Sequence, residues 1–171
     1  MTRAVIATLG EDRPGLVSEI SEIVLSLGLN IEDSRMTVLG GEFAVLMSVA
    51  GASQPLDQLQ VKLEALASST GLVYLFRRTE HRPAHSSNVY QVRVETLDHP
   101  GIVHGIAAFF SEHGINIREL ETQTRQAAHT GAPVFNVEME IEVAADALDA
   151  LQEAFVEFCD DQGLDGELIR P

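Results

Sequence analysis

Two short stretches of the chain carry the residue types of an amino-acid site. Asp12-Arg13-Pro14-Gly15-Leu16-Val17 is matched 86 residues later by Asp98-His99-Pro100-Gly101-Ile102-Val103, and Gly28-Leu29-Asn30-Ile31 returns at the same offset as Gly114-Ile115-Asn116-Ile117. Each first stretch reads as a helix start. Asp12 or Asp98 caps the first turn, Pro14 or Pro100 is tolerated inside it because its missing N–H would be unpaired there, and Gly15 or Gly101 lets another group approach the backbone. A capped helix N-terminus offers open amides and partial positive charge to an anion such as a carboxylate. A carboxylate with a carboxamide close by, Asp12 with Asn30 or Asp98 with Asn116, suits an ammonium group and its hydrogen bonds. Together they describe a site for an amino-acid zwitterion. The same residues have a purely structural reading, in which Asp only caps, Gly only permits the turn and Asn only fixes the helix-to-strand corner.

Nothing in the sequence carries catalysis. There is no GxSxG, GxxxxGK[ST] or HExxH, and the glycine turns lack the second and third glycines of a dinucleotide fingerprint. We therefore expect no enzyme and no cofactor. His81 and His85 are four apart, but Pro83 breaks the helix that would align them and no cysteine lies near, so no metal site is expected. His99 and His104 flank the third helix start and could line a ligand site or simply face solvent. His113 sits at an inward-stripe position at a helix end, where an imidazole meets the last carbonyls. The single Cys159 excludes an intrachain disulfide and reads as a small buried hydrophobe.

The repeat itself sets the organisation: residues 1–80 and 88–171 are two copies of one small domain, joined by a linker over 81–87 that contains Pro83. At 171 residues in all, each copy is small enough that association, most simply a homodimer, is expected. No apolar run approaches the roughly 18 to 20 residues of a membrane span. No leader precedes the first strand, so a cytoplasmic protein is expected. A formal charge of −15 with one lysine and ten arginines argues against direct nucleic-acid binding, which rests on Lys and Arg contacts to phosphate.

Hydrophobic periodicity supplies the elements. A strand over 4–9 precedes a helix over 12–27 with Leu16, Val17, Ile20, Ile23, Val24 and Leu27 inward. Strands over 30–39 and 42–50 flank a Gly40-Gly41 hairpin turn. A second helix, with Leu56, Leu59, Leu63 and Leu66, closes at Gly71, and a strand over 72–77 follows. The second copy repeats this order with an expanded turn over 126–133, a strand over 134–143 that alternates apolar residues with Asn136, Glu138, Glu140 and Glu142, and a last strand over 167–170. This is an α+β chain of two ferredoxin-like βαββαβ domains, each a four-stranded antiparallel sheet with two helices on one face. The other face of the third strand, Ala44, Leu46, Ser48 and Ala50, is much less polar than its acidic counterpart in the second copy, so it should carry more of any association.

At the D-x-P-G turn and the following G-x-N-I, both present twice and in register, the sequence resembles the ACT-domain family. The resemblance implies the same element order and a ligand held at an interface between domains, touching the acidic or amide residue of the turn and the Asn. By that resemblance Asp12, Gly15 and Asn30, and Asp98, Gly101 and Asn116, are the ligand-binding positions. A chain of two such domains and nothing else resembles the glycine cleavage system transcriptional repressors. That resemblance implies repression through a LysR-type activator protein, relieved by glycine. The two copies differ at Arg13 against His99 and Ser18 against His104, so they need not share specificity. An ACT-like N-terminus also resembles formyltetrahydrofolate deformylase, whose transferase-type domain has no counterpart here. A scaffold with empty sites is the further alternative.

Overall fold

The computed structural model describes residues 2–80, 88–126, 131–144 and 146–169. The order is β1 (Thr2–Glu11), α1 (Leu16–Ser26), β2 (Asn30–Leu39), β3 (Glu42–Gly51), α2 (Ser53–Thr70), β4 (Val73–Thr79), β5 (Asn88–Leu97), α3 (Ile102–Glu112), β6 (Asn116–Gln126), β7 (Pro133–Val143), α4 (Leu148–Gln162) and β8 (Asp165–Ile169). The chain divides into two compact units, Met1–Pro83 and Ala84–Pro171. The 81–87 linker with His81 and His85, and residues 127–130 of the expanded turn, lie outside the described residues.

Each unit holds one antiparallel sheet, ordered β2-β3-β1-β4 in the first and β6-β7-β5-β8 in the second, which is the ferredoxin-like arrangement. The period-2 alternation of the strands decides which side is covered. In the first unit Ile6, Val45, Met47 and Val49 meet Leu16, Ile20 and Val24 of α1 and Leu56, Leu59 and Leu63 of α2. In the second, Val92, Val137, Met139 and Ile141 meet Ile106 and Phe110 of α3 and Leu151 and Phe155 of α4. Val17, expected on the inward stripe, and Val103, its counterpart in the second copy, are instead 40% and 37% exposed. One residue beyond Leu16 and Ile102 is a 100° rotation away, which carries them past the edge of the apolar stripe.

The uncovered faces of the two sheets differ. The first carries Leu9, Leu46, Val73 and Leu75, all about half exposed or more, whereas cross-strand register puts Glu121, Glu138, Glu95 and Asp165 on the second. Ala50, on the first face, is buried.

Two interior features have measurable consequences. Thr8 is 4% exposed on the core side of β1, and its hydroxyl has no hydrogen-bond partner among the described residues. Thr8→Val keeps the shape and removes that unpaired group, so it should raise stability by about 1 kcal/mol, read from the midpoint of urea unfolding. Cys159 is buried beneath β8, and burial, with Asp160 and Asp165 adding, pushes its thiol up to about 11. The thiol stays protonated at neutral pH, so iodoacetamide should label it only when the protein is unfolded; rapid labelling of folded protein would contradict this placement.

Candidate functional site

The turn between β1 and α1 is built differently from the capped start expected of it. The helix begins at Leu16 with Gly15 as its cap residue, at φ 92° and ψ −10°, and no side chain caps it. Gly101 repeats this before α3, at φ 100° and ψ −9°. Asp12 and Asp98 are therefore not caps, and Pro14 and Pro100 precede the helix instead of standing in its first turn. The glycine does the bending: it supplies a left-handed backbone that a Cβ would strain, and so swings the chain from strand into helix. The aspartates mark the strand ends, where the Asp12 N–H donates to the Gly41 carbonyl (3.3 Å) and the Asp98 N–H to that of Pro133 (3.1 Å). Both residues are exposed. Without a capping side chain, the amides of the first helical turn are open to an anion.

In the first unit the turn is clamped by a salt bridge. Arg13 grips Glu19 with both guanidinium arms, Nη1 to Oε1 at 2.7 Å and Nη2 to Oε2 at 2.6 Å. The second unit has no such pair, because Gly105 stands where Glu19 does, and His99 Nδ1 instead lies 3.1 Å from the Pro100 carbonyl oxygen. His113 Nδ1 donates to the Phe109 carbonyl at 2.8 Å, as a helix-end imidazole should, although the residue faces solvent.

The Gly-x-Asn-Ile segments form the opposite corner. Gly28, at φ 65°, follows the last turn of α1, and the Leu29 N–H returns to the Val24 carbonyl (3.2 Å). Gly114 and Ile115 do the same after α3. The chain then drops Leu29 into the core and opens β2 at Asn30.

The structure does not bring Asp12 and Asn30 together within a unit. Asn30 pairs with Ala50, and Ala50 with Arg3, so the amide lies at the start of β1 while Asp12 follows its end. From Arg3 to Asp12 the strand rise of about 3.3 Å per residue separates them by roughly 30 Å. The second unit repeats the layout, with Asn116 opposite Glu142 and Glu142 opposite Val89, far from Asp98. The expected close pair therefore does not form within a unit: the turn stands at one end of each sheet and the amide at the other.

At the amide end of the first unit, α1 and the start of β2 enclose an open concavity of about 550 Å³, lined by Ser18, Ser21, Glu22, Leu25, Asn30 and Ile31 among others. Ser21 and Glu22 were missed by the sequence reading, since a serine and a glutamate on a helix look like an ordinary solvated face. The Asn30 amide has no hydrogen-bond partner among the described residues, whereas Asn116 donates to Glu142 Oε2 at 3.1 Å.

This fold, with its paired glycine turns and strand-opening asparagines, defines a tandem ACT-domain protein. Family models described as ACT domain match residues 2–76 and 90–156, and the chain belongs to the ACT-domain family. It is 32% identical over 167 residues to the glycine cleavage system transcriptional repressor of Escherichia coli K12, covering 96% of this chain and 87% of that one. An unknown protein from Galdieria sulphuraria has a similar crystal structure, with a TM-score of 0.81 and 28% identity over 98% of this chain and 97% of that one. A structure provisionally named as a glycine cleavage system transcriptional repressor has a TM-score of 0.73 at 28% identity, over 98% and 95% of the two chains. These likenesses support a regulatory ACT-domain protein.

The Arg13 hydrogen bonds hold the Glu19 carboxyl below its ordinary range. Because the folded value is depressed, the clamp contributes fully above the ordinary carboxylate range of about 4.3 and is lost as pH falls through the lower folded value. Carboxyl-carbon NMR of Glu19 should therefore show a low midpoint that rises in Arg13→Ala; an unchanged midpoint would remove the clamp from the turn.

Proposed function

We propose that this chain is a non-catalytic regulator that senses a small amino acid, glycine foremost, and passes the state of that site to a protein partner. The observation that carries this reading is the end-to-end similarity, 32% over 96% of the chain, to a glycine cleavage system transcriptional repressor. The chemistry of the half-sites agrees with it. The open amides after Gly15 suit a carboxylate, Asp12 suits an ammonium, and the Asn30 carboxamide can donate to the one and accept from the other. Asp98, Gly101 and Asn116 are their counterparts in the second unit.

A ligand as small as glycine cannot reach across roughly 30 Å of strand, so a second copy of the chain completes the site. β2 is an edge strand with Ile31, Met36, Val38 and Leu39 more than a third exposed. Two β2 edges paired antiparallel cover those side chains and set Asn30 of one copy beside the hairpin of the other. Asp12 is hydrogen-bonded to that hairpin at Gly41. The ligand then stabilises one arrangement of the pair, and a preference of about 1 to 3 kcal/mol is enough to switch a partner's affinity. The apolar open face of the first sheet is where the partner, a LysR-type activator, docks.

Calorimetric titration of the purified chain with glycine, serine and larger amino acids tests this. Saturable glycine binding, weakened at least tenfold by Asn30→Ala with the fold intact by circular dichroism, is the expected result. Folded protein that gives no heat with any amino acid would refute the sensor.

A further inference from the structure

The amide ends of the two units are not equivalent. Asn30 faces Ala50 across the sheet, and its side-chain amide has no partner among the described residues. Asn116 faces Glu142 and donates to it at 3.1 Å, while Arg118 holds the same carboxylate at 3.6 Å. The helix beside each amide differs as well. Ser21 and Glu22 line the first concavity, and the positions 86 residues on are Ala107 and Ala108, which bring neither an acceptor nor a charge. Both edge strands expose charged residues, Glu32, Asp33 and Arg35 on β2 and Glu119, Glu121 and Arg125 on β6, but β2 adds the exposed apolar residues Ile31, Met36, Val38 and Leu39.

We infer that only the first unit's amide end takes the ligand, and that the second has become a structural clamp. The inference rests on the sensor reading above and adds which copy works. In the first unit Glu22 and the Ser21 hydroxyl oxygen add acceptors for the ammonium beside the Asn30 carboxamide, so this end meets the turn of the second copy with polar groups that the second unit lacks. In the second unit the Asn116 amide and the Glu142 carboxylate satisfy each other. A ligand there would have to break that bond and replace its energy without the Ser and Glu that the first unit provides.

Glycine titrated into the full-length, isotope-labelled chain, followed by backbone amide NMR, tests the inference. Saturable shifts are expected around residues 18–31 and the 12–19 turn, with residues 104–117 still, and the binding stoichiometry is one glycine per chain. Glu22→Ala and Asn30→Ala, both at exposed positions, should each weaken the response at least tenfold. Shifts at both units, or at 104–117 alone, or a full response in Asn30→Ala, would overturn the inference while leaving the chain a sensor. A folded chain that shows no shift anywhere would overturn both.

Discussion

The length of a β-strand is the constraint on which this site depends. β1 runs from Thr2 to Glu11 before the chain turns, and α1 carries it back along the sheet. The helix-start residues and the strand-start residues of one unit therefore face opposite ends. No side-chain rotamer closes roughly 30 Å. Under the proposed function, a domain built this way has two half-sites and no whole one, which ties its ligand chemistry to assembly. A sensor gains from that arrangement, because whatever occupies the site also favours the assembly that completes it.

Within each half-site the backbone does more than the side chains. Gly15 and Gly101 start their helices by left-handed geometry, which leaves the first-turn amides uncapped and the aspartates exposed. In the first unit Arg13 and Glu19 hold this turn with a bidentate bond. Duplication supplied the same backbone twice, and the side chains then diverged. Glu142 in place of Ala50 gave one asparagine a partner and left the other without one.

Most of the architecture was legible in the sequence because it is written in local periods. β2 occupies Asn30–Leu39 up to the Gly40-Gly41 turn as expected, and Phe135 to Val143 alternate as expected along β7. The helix starts were misplaced because aspartate, proline and glycine in that order fit an N-cap and a pre-helical turn equally well; only the positive φ of the glycine decides. Asp12 and Asn30 read as a pair because a carboxylate beside a carboxamide suits an ammonium group, and they stand 18 residues apart in sequence. That spacing holds a helix returning antiparallel to the strand, which separates its two flanking corners by the length of the sheet. The placement of Ser21 and Glu22 beside Asn30, and the Asn116–Glu142 bond, depend on concavity and cross-strand register, neither of which a single sequence displays.

The central claim is that the turn of one copy and the amide of another make one site. Mixing two variants tests it directly: Asp12→Ala and Asn30→Ala chains, each deficient in glycine binding alone, are unfolded together, refolded and titrated. If the half-sites come from different copies of a symmetric pair, mixed pairs regain one intact site and about one quarter of all sites bind glycine again. If the mixture binds no better than its components, the two half-sites do not meet between copies and the account fails.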